Sequence, residues 1–477
     1  MPYTVPQNID PNKIFLVNFS ELEGRLDPEQ CHKERIDAIN RIKGTKKYYP
    51  LSVIASFDKT ITTEINTSVV YVGLENIESE YGNYIETSEK QSISSAAIFH
   101  KTDVLFPKLR PYLNKVFYAS FDGICSTEFY VLKASSLVLP EYLAIFLRSS
   151  LVVNQTKHLM TGNTLPRLQT EDVKKLLVPV PPLHIQQQIV NVYNAALSQR
   201  KKKLNESKSK LASIDQYLLG ELGITLPSKT AYYEDFVCSE PTAVYHKVNE
   251  YELDQNNLLV QNGQIFTTMF SEVCGGRIDP LANNPTLKAI RKRLSGSSFV
   301  PLKQVVKESN EVTNDIIKSD IYVGLENIES NTGNYIVTKE KDTISSALRF
   351  KKGQILFPKL RPYLNKVYFA EFEGICSTEF HVLSAHNIDS RYLQYCLLSK
   401  LTLEQTTSLM TGNTLPRLQS SDIANIQIPA PSPSKQREIA DYISAIRAEA
   451  KALEQEANVI LEQAKKKVEE LILGYFS

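Results

Sequence analysis

The residues best equipped for chemistry stand in a short phrase that the chain uses twice. "PKLRPYLNK" begins at Pro107 and again at Pro358. The first copy offers Lys108, Arg110, Tyr112, Asn114 and Lys115, the second Lys359, Arg361, Tyr363, Asn365 and Lys366. Lysine and arginine neutralise phosphate, arginine forks onto guanine, and asparagine forks onto adenine in the major groove. A second repeated phrase, "TGNTLPRL", supplies Thr161, Gly162, Asn163 and Arg167, then Thr411, Gly412, Asn413 and Arg417. Its glycines give the backbone turn freedom, and its asparagines and arginines are again base-reading and phosphate-binding types. Together they form a DNA-binding set, although a basic loop of this kind is also what an ordinary solvated surface carries. Arg25 and Arg277, in "GRLDP" and "GRIDP", stay open between a DNA contact and an ion pair to Asp27 or Asp279.

Catalytic chemistry finds no footing. The six cysteines contain no CxxC pair, and none of the seven histidines falls in HExxH or zinc-finger spacing. No NPPY-like tetrad, glycine-rich cofactor loop or Walker A sequence is present. Cys125 and Cys376 hold the same place in the two copies, which suits a small packed residue better than a metal ligand. The expectation is a non-enzymatic chain with reduced thiols, no metal site and a cytoplasmic location. No stretch reads as a membrane span or secretory leader. A net charge of +1 neither demands nor excludes nucleic acid, since a basic groove can be balanced by acidic surface.

These loops need elements to carry them, and the duplication says what those are. At 477 residues the chain exceeds a single core. "YVGLENIES" begins at Tyr71 and at Tyr322, 251 residues apart, and after the loss of one residue "LMTGNTLPRLQ" begins at Leu159 and Leu409, 250 apart. A period of half the chain points to duplicated domains rather than a solenoid. Each copy mixes β-branched and aromatic strand runs with short helices, then passes through a proline-rich stop, "VPVPPLHI" or "IPAPSPSKQ", into a long helix.

Both helices carry a narrow apolar seam. In the first it runs through Val190, Tyr193, Leu197, Leu204, Leu211, Ile214 and Leu218, with Arg200 and Ser207 as polar members. In the second it runs through Ile439, Ile443, Ile446, Ala450, Leu453, Ala457, Ile460, Ala464 and Leu471, interrupted by Lys467. Steps of four and three sustained this long predict a coiled-coil seam, the plainer alternative being a helix packed on its own half. The expected fold is α+β: two similar α/β domains separated by a long antiparallel two-helix coiled coil. The expected segments are a first domain over residues 1–184, a spacer helix over 185–222, a connector and second domain over 223–434, and a second spacer helix over 435–477.

This order of elements resembles the specificity subunit of type I restriction-modification systems. The phrases that carry the resemblance are "GRLDP", "YVGLENI", "LFPKLRPYLNKV", "GICSTEFYVL" and "TGNTLPRLQTEDVKKLLVPVPPLHIQQQIV", with their second-half counterparts. It extends over almost the whole chain, leaving out the stretch from Gly223 to about Gln261. The resemblance implies a non-catalytic subunit whose two target-recognition domains each read half of an interrupted DNA site. It also implies that the paired helices set the gap and dock two adenine-N6 methyltransferase (modification) subunits, and that restriction/translocase subunits join them. S-adenosylmethionine, ATP and magnesium would belong to those partners. In that family the two domains generally differ, whereas here the candidate loops match, so the expected target is a palindrome or near-palindrome. Tyr130 against His381, and Ser120 against Glu371, leave room for unequal preference. A type IIB-like specificity subunit and a duplicated protein-binding scaffold remain as alternatives.

Overall fold

Runs such as "VLFP" and "FYVL" lack the polar alternation of a half-exposed strand, and the reason is that these strands have a core on each face. In the first copy they are β6 (Val104–Pro107) and β9 (Phe129–Ala134), the middle of a sheet ordered β2–β9–β6–β7, with β2 at Ala55–Asp58 and β7 at Phe117–Tyr118. Phe129, Val131 and Leu105 point one way and join Val72, Phe99 and Cys125 from a second sheet. That second sheet is ordered β3–β5–β8–β4, from Ile61–Thr62, Ala96–Phe99, Gly123–Cys125 and Tyr71–Val72, and its β4–β8 pair is parallel. Tyr130, Leu132, Val104 and Phe106 point the other way, into a cluster with Tyr142 and Phe146 of the helix Pro140–Leu147. The strand period of two thus sorts one apolar run into two cores.

The computed structural model describes residues 31–65, 69–86, 94–160, 166–226, 246–248, 251–253, 259–260, 298–317, 319–338, 344–407, 409–410 and 416–474, with Leu16 and Leu294 besides. The second copy repeats both four-stranded sheets in the same order, including the parallel pair of Tyr322–Val323 with Gly374–Cys376. Leu356, Phe380 and Val382 face one core, Ile355, Phe357 and Leu383 the other. A third, two-stranded pairing closes each domain, β1 (Tyr48–Pro50) with β10 (Leu177–Pro179) and Phe299–Pro301 with Gln427–Pro429. Cys125 and Cys376 are fully buried, and burial pushes both thiols up to about 12. From the unmatched stretch Gly223–Gln261, the described part includes three short antiparallel strands, His246–Val248, Tyr251–Leu253 and Leu259–Val260. No described helix is long and apolar enough to cross a membrane.

The two long helices are Leu183–Glu221 and Pro433–Leu473, of 39 and 41 residues, each roughly 60 Å at 1.5 Å per residue. The chain divides into two compact units, residues 1–204 with 454–477, and residues 205–453, so each helix contributes to both. Within the first unit, Ile189, Val190 and Tyr193 share a core with Leu461, Val468, Leu471 and Ile472, and Lys203 pairs with Glu456 at 2.5 Å. Within the second, Leu218 shares a core with Ile439 and Ile443, the rings of Tyr217 and Tyr442 lie 4.0 Å apart, Lys210 pairs with Glu449, and Lys435 pairs with Glu221. As one number rises the other falls, so the helices run antiparallel. A glutamine one turn into each helix ties it to its own domain: Gln186 bonds Leu139 N–H and the carbonyls of Leu137 and Pro181, and Gln436 bonds Asp389 N–H and the Pro431 carbonyl.

Along the seam, Ser207, Ala450 and Ala457 are buried, while Leu197, Leu204, Leu211, Ile214, Ile446, Leu453 and Ile460 are half-covered. Near the end of the second helix the covered face shifts to take in Leu461 and Val468 beside the seam residues Ala464 and Leu471, and Lys467 stands in solvent 3.6 Å from Glu470. A straight helix of 3.6 residues per turn drifts about 20° per heptad against a strict seven-residue repeat, and here the drift turns Lys467 outward. Leu461→Ala should therefore cost about 2–5 kcal/mol in a urea titration, by loss of buried methyl groups. Ile460→Ala should cost distinctly less; the reverse order would mean that the seven-residue repeat holds to the helix end.

Candidate nucleic-acid interface

The phrase "PKLRPYLNK" follows β6 directly, and its backbone is held before any side chain is considered. Lys108 N–H bonds the Glu128 carbonyl at 2.7 Å, Leu168 N–H bonds the Lys108 carbonyl at 2.9 Å, and Arg110 N–H bonds the Pro166 carbonyl at 2.9 Å. A short 3₁₀ turn, Pro111–Leu113, follows, flanked by Arg110 at φ 46° and Asn114 at φ 52°. Two non-glycine residues in the left-handed region are strained, at about 1–3 kcal/mol each. The second copy adopts the same turn, with Arg361 at φ 48° and Asn365 at φ 51°.

The side chains divide into inward and outward sets. Asn114 Nδ2 donates to the Arg148 carbonyl at 2.8 Å and Asn365 Nδ2 to the Leu398 carbonyl at 2.7 Å, which helps hold the strained turn. Lys115 and Lys366 donate to the carbonyls of Leu74 and Leu325, each at 2.8 Å. Lys108 and Lys359 donate to the carbonyls of Thr127 and Thr378. Lys108 also lies 4.8 Å over the Tyr130 ring, and burial lowers its pKa. These six side chains brace the loop from beneath. Arg110, Arg361, Tyr112 and Tyr363 face outward, both tyrosines 45% exposed, and no hydrogen bond or ion pair holds either guanidinium among the described residues.

Arg167 and Arg417 are half-exposed and paired. Arg167 Nε and Nη2 reach the two carboxylate oxygens of Glu128 at 3.0 and 2.9 Å, and Arg417 reaches Glu379 at 3.0 and 2.8 Å. The Arg417 hydrogen bond holds the Glu379 carboxyl below its usual range. Thr161, Gly162, Asn163, Thr411, Gly412 and Asn413 lie outside the described residues, as do Arg25, Asp27, Arg277 and Asp279. The two glutamates were not legible as partners; their one sequence signal is the repeated "STEF".

Folding also assembles a group from distant positions that no spacing motif announces. His32, Glu34 and His158 of the first domain converge, the imidazoles stacked at 3.7 Å and 16°. A metal must lie near the plane of each imidazole that binds it, and two stacked rings cannot both direct a lone pair at one ion. Lys157 already pairs with Glu34 and lowers its pKa, so the arrangement as it stands is a charge cluster. The residue in the place of His158 in the second copy is Ser408.

The copies differ beneath the loop. Tyr130 packs edge-on against Phe57 and donates to the Leu168 carbonyl at 3.1 Å. At the matching place, His381 is 1% exposed with Nδ1 2.7 Å from Glu308. Burial is the larger influence and lowers the His381 pKa, with Lys359 acting the same way and Glu308 opposing both. The unfolded chain then takes up the proton first, so this contribution to stability is present above about pH 6.5 and is lost as pH falls through the lower folded value. Hydrogen-exchange protection of Phe380–Ala385 should therefore weaken between pH 7.5 and 5.5 more than that of Phe129–Ala134. Replacing the pair together, His381→Tyr with Glu308→Phe, should abolish the difference; equal losses in the original protein would exclude His381 as its source.

Comparison with known proteins finds relatives of both copies. A family model described as type I restriction modification DNA specificity domain matches residues 56–207 and again residues 299–463. The specificity subunit of the type I restriction enzyme EcoDI from Escherichia coli is 30% identical over 141 residues, covering 29% of this chain and 32% of that protein. That of the MjaIX enzyme from Methanocaldococcus jannaschii is 31% identical over 107 residues, covering 22% of this chain and 24% of that protein. The chain thus aligns with under a third of either curated relative. Among solved structures, the HsdS subunit from Thermoanaerobacter tengcongensis covers 90% of this chain and 97% of its own at 17% identity, with a TM-score of 0.36. A type I S subunit from M. genitalium covers 89% of this chain and 95% of its own at 13% identity, with a TM-score of 0.38. Matched over more than half of its length, once in each repeat, the chain belongs to the type I restriction modification DNA specificity domain family.

Proposed function

We propose that this chain is the sequence-specific DNA-recognition subunit of a type I restriction-modification complex, itself without catalytic activity and acting in the cytoplasm. Each target-recognition domain reads one half of a bipartite site that is palindromic or nearly so. The long helices set the spacing and dock two adenine-N6 methyltransferase subunits, which restriction/translocase subunits join. S-adenosylmethionine, ATP and magnesium are held by those partners. The observation that carries this reading is the twin turn: Arg110 and Arg361 sit outward at the same backbone angles, beside equally exposed Tyr112 and Tyr363, in both copies. The left-handed backbone sets where each side chain leaves the turn, and an arginine fork suits guanine as well as phosphate. Matched turns favour matched half-sites.

Affinity is shared in this reading. Phosphate contacts supply most non-specific attraction, and a chain of net charge +1 draws much of that from its partners. If the target adenine is extruded for methylation, unstacking costs a few kcal/mol, which the assembled complex offsets.

Mapping methylated adenines in the host genome with and without this gene tests the reading directly. One interrupted motif with inverted-repeat halves should vanish on deletion; halves of unrelated sequence would reject the palindrome, and an unchanged map would reject the function. Arg110→Ala with Arg361→Ala should cost about 1–3 kcal/mol of discrimination per domain while assembly persists. Unchanged affinity at physiological salt would remove both arginines from the interface.

A further inference from the structure

The phrases that suggested DNA contact did not include the two glutamates that the fold places among them. We propose that Glu128 and Glu379 are specificity determinants: each fixes the direction of its arginine and holds back indiscriminate attraction to phosphate. This rests on the DNA-recognition reading above and names the residues that make that recognition selective.

The argument starts from geometry. In both copies the arginine uses Nε and Nη2 against both carboxylate oxygens, the two-pronged arrangement that constrains a guanidinium in angle as well as distance. Both ends stand on braced backbone. Glu128 accepts Lys108 N–H through its carbonyl, and its own N–H bonds Ser126 Oγ at 3.2 Å. Glu379 is held in the same way by Lys359 N–H and Ser377 Oγ. Arg167 and Arg417 form isolated β-bridges with Leu109 and Leu360, one residue before the outward-facing Arg110 and Arg361. The carboxylates therefore sit inside the candidate interface, where a negative charge works against binding to any DNA.

Exposed ion pairs contribute little to folding stability, so stability gives a weak account of an acidic group placed here twice. Selectivity gives a stronger one. Attraction to phosphate is the same for every sequence, and a carboxylate beside the arginine offsets it for target and non-target alike. A directed guanidinium, in contrast, helps only where a base edge meets it. Removing the carboxylate should thus move the two affinities in opposite directions, which loss of a merely structural brace would not do.

The test uses the full chain assembled with its methyltransferase subunits, a duplex carrying the motif recovered from methylation mapping, and a scrambled duplex of equal length, across a salt series. Glu128→Ala with Glu379→Ala should raise affinity for the scrambled duplex several-fold and lower it for the motif. The dependence of log K on log salt should steepen by about one for each arginine released. Glu128→Ala alone should relax only one half-site. Glu128→Gln with Glu379→Gln, which keeps the shape and removes the charge, should raise scrambled-duplex affinity with a smaller loss on the motif, and it serves if the alanine variants fold poorly. Equal changes on both duplexes, or an unchanged salt slope and discrimination ratio, overturn the proposal. If the unsubstituted complex itself shows no preference for the motif, the DNA-recognition reading fails and this inference falls with it.

Discussion

Double-sided burial of the central strands is the constraint from which the rest of each domain follows. Because β6 and most of β9 are covered on both faces, side chains able to meet an outside partner gather where these strands end. The turn after β6 is one such end. Several backbone carbonyls left over around it, those of Thr127, Leu74 and Arg148, need donors, and Lys108, Lys115 and Asn114 supply them. Three of the five polar residues in the phrase thus serve the fold. The remaining two, Arg110 and Tyr112, are presented by a turn that the others keep taut.

Much of the architecture was legible in the sequence, because it rests on periodicity and repetition. The 251-residue shift announced two like domains, and the steps of three and four along the helices announced a seam. What could not be read was direction. Lys108 and Arg110 are both basic and two residues apart, yet one turns under the loop and the other away from it. Only the left-handed backbone at Arg110 decides that, and an arginine carries no signal for φ 46°. The same limit hid the Glu128–Arg167 pair and the His32–His158 stack, whose members are 39 and 126 residues apart and meet only through tertiary structure. At Lys467 the misreading was geometric, since a fixed seven-residue count ignores the slow rotation of a straight helix.

The two domains differ beneath the turn without any change of strand register. Phe57 and Tyr130 form an aromatic contact in one copy, and Glu308 and His381 a polar one in the other, while the strands around them keep the same register. Both members differ together: an apolar ring meets the tyrosine in one copy, and a half-buried carboxylate meets the histidine Nδ1 in the other. The chain therefore carries two solutions to one packing problem.

The segregation of duties within the nine-residue turn bears on how such a protein changes over generations. Its braces answer to the fold and its outward residues answer only to whatever lies outside, so the two groups are free to vary under separate pressures. Substitution of an outward side chain leaves the braces Lys108, Asn114 and Lys115 in place, and the duplicated turn offers a second copy in which the same change can be made separately.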